Sequence, residues 1–495
     1  MKHQVEGCRR LAEHPRFALA ADMGTGKTWM LLEDLERRFL ADELDAAIII
    51  APNGVHTNWV LREIPKHLEV EHDATFWVSG AGKKHTQRLE RQLAHAHDDP
   101  RRLILHAMNV DAVNTKGGEA HLRAFLGTFA PGRVGMIIDE SHKIKNLDAK
   151  RTQRILALGL KAGVRRIASG TIMANSPLDL FSQYEFLAPG LLGTRSYRAF
   201  VSQYAELMSH DSALVQDIVR RTGARGAPQI IAKNRDGTPR FKNLDKLSDL
   251  MAPHTFRITK EECLDLPPKI YQTVFFDMDN EQQRAYDHIL AERNWLRSDG
   301  EVDTFTALTA LTKLRQVTSG FIMVDSAPTA LLHAGPRLAA LEEALDECAG
   351  QLIVWASFRE ELKQIASRLT ERGETFAMYH GGTSRADREE AVDGFQAERV
   401  RIFLGNPAAA GTGLTLTAAH TAIYYSTDFS LEQRRQSEDR SHRVGTTHKV
   451  VYIDLVARGT IDERIAASQQ SKQATSDQIM GRLAWFLGSD SEPIF

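Results

Sequence analysis

The sequence contains little cysteine and no long apolar segment. Cys8, Cys263 and Cys348 are the only cysteines among 495 residues, and no two of them form a CxxC pair, which argues against a disulfide framework and against a zinc site. No segment approaches the ~20 consecutive apolar residues of a membrane span, and the N-terminal segment is too charged for a secretory signal. We therefore expect a cytoplasmic chain that does not bind membranes.

The chain also lacks an excess of charge of either sign. Its formal net charge is −2 at pH 7, which excludes a uniformly basic nucleic-acid-binding surface, although local basic patches can still bind phosphate groups. Hydrophobic residues make up 42% and charged residues 25% of the chain, as is typical of a globular protein. The length exceeds what one hydrophobic core supports, so we expect roughly two to four domains.

What the sequence does contain is two series of short apolar runs that alternate with helical patterns. Such alternation predicts α/β domains in which helices cover both faces of a parallel sheet. We predict strands at 17–20, 47–51, 103–106, 134–138 and 166–169, and again at 352–356, 375–379, 400–404, 422–425 and 450–455. The predicted fold class is α/β, with tandem domains at 1–192 and 336–495 and a helical or irregular insertion at 193–335.

A phosphate-binding loop follows the first predicted strand and precedes a helical pattern. Two glycines, Gly24 and Gly26, let the backbone curl so that successive N–H groups point at phosphate oxygens. Lys27 can reach the terminal phosphates, and the Thr28 hydroxyl can bind Mg²⁺. Ala21 replaces the first glycine of the full signature, and it is small enough for the turn. The nucleotide-binding residues predicted here are Met23, Gly24, Thr25, Gly26, Lys27 and Thr28.

A pair of acidic residues follows the fourth predicted strand. Asp139 and Glu140 come directly after the run 134–138, at the carboxyl end where open α/β sheets bind their ligands. Asp139 can hold Mg²⁺, and Glu140 can orient or deprotonate an attacking water. Paired acids are also common in turns, but the phosphate-binding loop favours a catalytic role.

A basic cluster lies near the end of the second series. Gln436, Arg440 and Arg443 are spaced i, i+4 and i+7, which predicts that they share one face of a helix. A solvent-exposed helix face is the alternative interpretation of this spacing alone. Together with a nucleotide site elsewhere in the chain, the two arginines are candidates for residues that stabilise charge on a transferred phosphate.

These motifs, in this order, resemble those of superfamily two helicase-type ATPases, and more closely the Swi/Snf-type branch of DNA translocases. The resemblance extends over nearly the whole chain. The matching segments are 3–7, 21–28, 51–59, 139–146, 169–180, 256–269, 352–358, 380–382, 410–417, 436–445 and 459–463.

The resemblance implies two RecA-like domains that share one ATP site. It places Gln4 at the adenine and Gly413 at the nucleotide, with Lys27, Asp139, Glu140, Gln436, Arg440 and Arg443 as catalytic residues and Thr28 and Asp139 at Mg²⁺. It also implies a DNA groove, for which the matching residues are Asn53, Trp59, Lys143, Lys145, Asn146, Ser357, Thr412 and Thr415.

The function that the resemblance implies is an ATP-dependent translocase that moves along double-stranded DNA. ATP hydrolysis at the cleft between the two domains would drive the movement. One alternative is a strand-separating helicase, which would need an element that splits the duplex; another is a DNA-binding scaffold with a vestigial ATPase. ATP and Mg²⁺ are the expected cofactors and duplex DNA the expected partner, with single-stranded DNA as the alternative. The compact chain favours a bacterial or viral source.

Overall fold

The computed structural model of this protein describes residues 1–78, 80, 83–96, 101–209, 211–212, 215–216, 219–220, 229–234, 238–298, 304–324, 327–330, 335–409 and 414–487. The chain divides into two compact units. The first unit comprises Met1–Leu264 and Ser471–Phe495, and the second comprises Asp265–Gln470.

The first unit is built on a seven-stranded sheet in which every neighbouring pair is parallel. The order of its strands across the sheet is β3-β4-β2-β5-β6-β1-β7. The strands are β1 (Arg16–Ala21), β2 (Ala46–Ala51), β3 (His72–Phe76), β4 (Leu103–Asn109), β5 (Val134–Asp139), β6 (Val164–Ala168) and β7 (Thr255–Ile258).

The central strands are apolar because helices cover both faces of this sheet. Successive residues of β2 enter different hydrophobic clusters, with Ile48 and Ile50 in one and Ile49 in the other, as the two-residue period of a strand requires. The helices of this unit are α1 (Lys2–Glu13), α2 (Lys27–Leu40), α3 (Val55–Asn58), α4 (Ile64–His67), α5 (Lys83–Ala94), α6 (Lys116–Thr128), α7 (Lys150–Gly159), α8 (Leu180–Leu187), α9 (Tyr197–Tyr204), α10 (Leu244–Met251) and α11 (Lys260–Cys263).

Short turns of other helical types connect these elements. Trp59–Glu63 forms a π-helical turn between α3 and α4. The 3₁₀ turns of this unit are Val110–Asn114, Ser141–Ile144, Pro177–Asp179 and Ala252–His254.

Buried charges fasten α1 to the rest of the first unit. Asp34 of α2 accepts hydrogen bonds from Arg38 at 3.0 Å and from Arg166 of β6 at 2.9 Å. Both arginines also donate to the backbone oxygen of Leu11 at 2.8 Å, at the end of α1. This network ties the helix that carries Gln4 to the helix that begins at Lys27.

The second unit is built on a six-stranded parallel sheet with the order β12-β13-β11-β14-β15-β8. Its strands, with the separate antiparallel pair β9 and β10, are β8 (Lys269–Phe276), β9 (Phe321–Val324), β10 (Ala327–Ala330), β11 (Leu352–Trp355), β12 (Phe376–Tyr379), β13 (Ile402–Gly405), β14 (Thr421–Tyr424) and β15 (Val450–Ala457). The remaining helices are α12 (Asn280–Ser298), α13 (Thr304–Thr318), α14 (Gly335–Glu347), α15 (Arg359–Glu371), α16 (Arg385–Gln396), α17 (Leu431–Ser441) and α18 (Ile461–Leu487), and the part of α18 from Ser471 onward belongs to the first unit.

The predicted fold class, two tandem α/β domains with parallel sheets, is confirmed. The boundary between the compact units, at Leu264 and Asp265, falls inside the segment 193–335 that we treated as an insertion. That segment supplies β7 to the first sheet and β8 to the second. The three-part division at 192 and 335 stays a prediction. None of the helices in the described part of the chain combines the length and apolar character that a membrane crossing needs.

Candidate nucleotide-binding site

Three loops of the first unit meet at one edge of its sheet. Strands β5, β6 and β1 are consecutive neighbours and run parallel, so the segments that follow them lie side by side at the carboxyl edge. These segments begin with Glu140, Ser169 and Asp22 respectively. The carboxyl edge of a parallel sheet is where α/β proteins bind their ligands.

The loop after β1 has the backbone that a phosphate-binding loop requires. Gly24 and Gly26 have φ angles of 86° and 93°, which side-chain-bearing residues rarely adopt. Thr25 is buried, and its hydroxyl donates to the backbone oxygen of Asp22 at 2.8 Å. The Lys27 ammonium donates to the backbone oxygen of Ala21 at 2.7 Å. The lysine side chain therefore folds over the loop that begins at the end of β1.

The first residues of α1 contact this loop. The Gln4 amide donates to the backbone oxygen of Thr25 at 3.4 Å, and His3 Nε2 lies 2.9 Å from the same oxygen. A Cβ atom built on Gly26 would lie 2.1 Å from Gln4 Nε2. Gln4, which the resemblance assigns to nucleotide binding, thus packs directly against the loop, and a side chain at position 26 would displace the Gln4 amide and strain the backbone at a φ of 93°.

Asp139 is held at both of its carboxylate oxygens. The Trp59 indole N–H donates to Oδ2 at 2.8 Å, and the backbone N–H of Glu140 donates to Oδ1 at 3.0 Å. Burial and the neighbouring charge of Glu140 raise the pKa of Asp139 to about 6, although Trp59 and the positive charge of Lys27 act in the opposite direction. Because the charge of Lys27 acts on the carboxylate of Asp139, the phosphate-binding loop and the acidic pair are close enough to interact electrostatically.

Glu140 is oriented by the segment after β6. Its φ angle is 51°, a left-handed conformation that is uncommon for residues other than glycine. The Ser169 hydroxyl donates to Glu140 Oε2 at 2.8 Å and accepts the backbone N–H of Thr171 at 3.0 Å. His142 Nδ1 lies 3.2 Å from the Ser169 hydroxyl. The residue that follows β6, Ser169, therefore orients the carboxylate of Glu140, the residue that follows the neighbouring strand β5.

Asp22 and Gln183 make contacts at this site that were not predicted from the sequence. Asp22 donates its N–H to the backbone oxygen of Ile258 and accepts the N–H of Lys260 at 3.1 Å, which ties the loop to β7 and α11. The buried Gln183 accepts the Ser141 hydroxyl at 2.6 Å. Gln183 lies on α8, and no motif of the sequence marked it. Asp22 lies within the loop motif, but its partners are more than 200 residues away in the chain.

In the second unit, the basic cluster does not share one helix face as predicted. Helix α17 ends at Ser441, so Gln436 and Arg440 lie on the helix, whereas Arg443 lies beyond it. The Gln436 amide donates to Glu432 at 3.2 Å, and Arg440 is 3% exposed. Arg443 donates to the Thr415 hydroxyl at 3.0 Å. The helical spacing argument is wrong for Arg443 because the chain leaves the helix at His442.

Comparisons with known protein families agree with this geometry. Residues 8–320 match the SNF2-related domain, and residues 336–445 match the helicase conserved C-terminal domain. The first match alone covers more than half of the chain. This protein belongs to the SNF2-related family. Family membership agrees with the tandem RecA-like fold that the resemblance implied.

Individual relatives of this SNF2-related chain include much longer proteins. It is 26% identical over 97% of its length to the TATA-binding protein-associated factor BTAF1 of Arabidopsis thaliana, of which it covers 25%. It is also 26% identical over 94% of its length to the putative ATP-dependent helicase/translocase YwqA of Bacillus subtilis, of which it covers 47%. The chain therefore spans between a quarter and about half of these curated relatives.

One solved structure is also similar. The SWI2/SNF2 ATPase core of Sulfolobus solfataricus in complex with dsDNA has 23% sequence identity to this SNF2-related chain. The alignment covers 98% of this chain and 94% of that chain, with a TM-score of 0.40.

The residues that the SNF2-type resemblance assigns to DNA binding differ in how exposed they are to solvent. Asn53 and Asn146 are exposed, and Lys143 and Lys145 are partly buried. Ser357, which follows β11, donates to the backbone oxygen of Ser426 at 3.2 Å. Thr415 accepts from Arg443, as described above. Thr412, and Gly413 of the nucleotide set, lie outside the described residues.

Trp59 requires a correction. The resemblance to Swi/Snf-type translocases implied that Trp59 lines the DNA groove, but its side chain is 1% exposed and its N–H donates to Asp139. A buried indole has no surface to offer to DNA. We therefore remove Trp59 from the DNA-binding set.

Proposed function

We propose that this chain hydrolyses ATP and uses the energy to move along double-stranded DNA. The observation that carries the proposal is the meeting of the loop at Lys27, the acidic pair Asp139 and Glu140, and Ser169 at one edge of the first sheet. Membership of the SNF2-related family, and a relative named a putative ATP-dependent helicase/translocase, support the DNA-directed part of the proposal.

In this proposal the loop after β1 binds the phosphates of ATP. The backbone N–H groups from Met23 to Thr28 surround the phosphates, and Lys27 moves from the Ala21 oxygen to the β- and γ-phosphates. The Asp139 carboxylate and the Thr28 hydroxyl supply the oxygen ligands that Mg²⁺ prefers, so the residues present fit this ion. Bound Mg²⁺ would neutralise charge on the phosphates.

Glu140 is the residue proposed to activate water. The Ser169 hydroxyl holds one of its carboxylate oxygens at 2.8 Å, and the side chain is only 12% exposed. A carboxylate held in this way can accept a hydrogen bond from the attacking water and then take its proton. Gln4 remains the proposed adenine contact.

Residues of the second unit complete the proposed mechanism. Arg440 and Arg443 would stabilise charge that develops on the γ-phosphate, and Gln436 and Gly413 would help to bind the nucleotide. The proposed DNA contacts are Asn53, Lys143, Lys145, Asn146, Ser357, Thr412 and Thr415. Side chains such as these position a protein on DNA through phosphate contacts, without reading sequence.

The decisive experiment measures ATP hydrolysis alone and with single-stranded DNA, duplex DNA or RNA. Displacement of a third strand from a DNA triplex reports movement, and release of one strand from a duplex reports unwinding. We expect hydrolysis to increase with duplex DNA and the triplex to be displaced without unwinding. Unwinding would favour the helicase alternative. DNA binding without any hydrolysis would leave only the scaffold.

Two lysine variants make the assay specific. Lys27→Ala removes the proposed phosphate ligand and should abolish hydrolysis while the protein stays folded. Lys161→Ala is the matched control because Lys161 is exposed and precedes β6, at the amino end of the sheet. Equal activity of the two variants would contradict the proposed role of the loop.

A further inference from the structure

The Trp59 side chain has a role that its position in the DNA-binding motif does not indicate. An indole has a single hydrogen-bond donor and no acceptor. Trp59 uses that donor on Asp139 Oδ2 at 2.8 Å, although the two residues are 80 positions apart in the chain. A buried donor aimed at a buried carboxylate is a specific arrangement, since either group would be costly to bury alone.

The fold explains how Trp59 reaches this carboxylate. Strand β2 lies beside β5 in the sheet, and the short helix after β2 brings the chain back toward the carboxyl end of β5. Trp59 is the first residue of the π-helical turn Trp59–Glu63. Such turns are rare and often occur at functional sites.

The contact determines the orientation of the carboxylate. Asp139 Oδ1 accepts the backbone N–H of Glu140, and Oδ2 accepts the indole N–H of Trp59. With one donor on each oxygen, the plane of the carboxylate cannot rotate without losing a hydrogen bond. Both donors are uncharged, so they leave the negative charge of Asp139 available to a cation.

We infer that Trp59 is a positioning residue that orients the Asp139 carboxylate for the metal ion bound with ATP. This inference rests on the proposed function. It assigns Trp59 to the nucleotide end of the first unit, where its loss should weaken metal-dependent nucleotide binding. Hydrogen-bond partners of metal ligands typically contribute roughly 10- to 100-fold to metal affinity or activity.

The test compares Trp59→Phe with Trp77→Phe in the full chain. Trp77 is a partly buried tryptophan of the same unit, and its ring packs against His121. The probe is a fluorescent β,γ-imido analogue of ATP, whose affinity is measured in MgCl₂ and in EDTA. We expect Trp59→Phe to lose roughly tenfold in affinity in MgCl₂ and almost nothing in EDTA. Trp77→Phe should match the wild type in both.

A loss of equal size in MgCl₂ and EDTA would show a general structural role and overturn the inference. The Mg²⁺ concentration that gives half-maximal hydrolysis is the second readout, and it should rise by about the same factor in Trp59→Phe. If the wild type does not bind the analogue in MgCl₂, the proposed function itself fails. If the wild type binds it and Trp59→Phe does so equally well, only the inference fails.

An isosteric substitution covers the case in which Trp59→Phe does not fold. Benzothienylalanine replaces the indole N–H with sulfur and keeps the two fused rings, and it can be introduced at position 59 or at position 77 by stop-codon suppression. Loss of metal-dependent affinity at position 59 alone supports the inference. Wild-type affinity at both positions overturns it, because the hydrogen bond would then have been removed without effect.

Discussion

Glu438 lies at the centre of a buried ionic network in the second unit, and its loss should be costly. Its carboxylate accepts hydrogen bonds from Lys269 at 2.9 Å, from the Tyr271 hydroxyl at 2.8 Å and from Arg434 at 2.7 Å. Arg434 also pairs with Asp454 of β15. The network therefore joins α17 to the two strands β8 and β15. Glu438→Gln keeps the size of the side chain and removes its charge.

The magnitude follows from the pKa of Glu438. Burial alone would raise it, but the positive charges of Lys269 and Arg434 outweigh burial and lower it from 4.5 to about 2. That difference corresponds to about 3 kcal/mol of stabilisation of the folded state. Breaking a buried ion pair by removing one partner typically costs about 3 to 5 kcal/mol, which agrees.

The pH dependence has a defined sign. Because the folded-state pKa of Glu438 is lower than the unfolded value, the stabilisation is fully present above pH 4.5 and is lost as the pH falls through about 2. The wild type and Glu438→Gln should therefore differ most in stability near neutral pH. Their free energies of unfolding should approach each other as the solution is acidified.

Hydrogen exchange of the full chain can measure this effect in one unit at a time. At neutral pH, amides of β14 and β15 in Glu438→Gln should lose roughly 100-fold in protection, and amides of β2 and β4 in the first unit serve as the internal reference. Glu390→Gln is the matched control, since Glu390 is 73% exposed in its ion pair with Arg399 and such pairs contribute about 0 to 1 kcal/mol.

Either of two results would refute this reasoning. If the amides of β14 and β15 are equally protected from exchange in Glu438→Gln and in Glu390→Gln, the buried network contributes no more to stability than a surface ion pair. If Glu438→Gln is destabilised by the same amount at pH 7 and at pH 3 in denaturant titrations, the cause is altered packing and not the lost charge.

Three variants of the first unit test other contacts of the proposed site. Ser169→Ala removes the hydroxyl that holds Glu140, so ATP turnover should fall roughly tenfold with little change in KM; a changed KM alone would contradict this. Gly26→Ala places a Cβ atom 2.1 Å from the Gln4 amide and at a φ of 93°, so nucleotide binding should be lost in a titration with labelled ADP, and unchanged affinity would exclude the contact. Asp34→Asn leaves the buried charge of Arg166 without the carboxylate that pairs with it and should destabilise the first unit by about 3 kcal/mol. Urea unfolding followed by hydrogen exchange measures this, and an effect below 1 kcal/mol would argue against the network.

The strands predicted from the sequence are those in the interior of the two sheets, together with one edge strand, β12, which is only partly buried. All five predicted strands of each series are present, with ends shifted by one or a few residues. The strands that were not predicted include β3, β7 and β8, and each of these lies at the edge of its sheet. An edge strand is only partly covered, so it needs no continuous apolar run. Four consecutive residues of β8, Ile270–Thr273, are exposed. Buried and exposed positions therefore do not alternate along this strand, and its sequence shows no alternation of apolar and polar residues.

The sequence predicted the position of a site residue where a motif follows a strand directly. It did not predict the direction in which an individual side chain points. The loop at Lys27 and the pair after β5 lie next to each other because parallel strands share a carboxyl edge. Trp59 was assigned to DNA because its motif does not indicate a contact with a carboxylate 80 residues away in the chain. Arg443 was placed on a helix because i, i+7 spacing carries no information about where a helix ends.

The buried ionic networks of the two units are better explained by the way they orient the elements they join than by any gain in the free energy of folding. Apolar side chains of the same size would stabilise a core equally well or better, because burying charge costs about as much as its pairing returns. What apolar contacts cannot do is fix the direction of an arginine toward particular oxygens. Asp34, Arg38 and Arg166 fasten the end of α1, whose first turn contacts the phosphate-binding loop. An Asp34→Asn protein that remains folded should therefore also bind nucleotide more weakly, since α1 would be free to move away from Gly26.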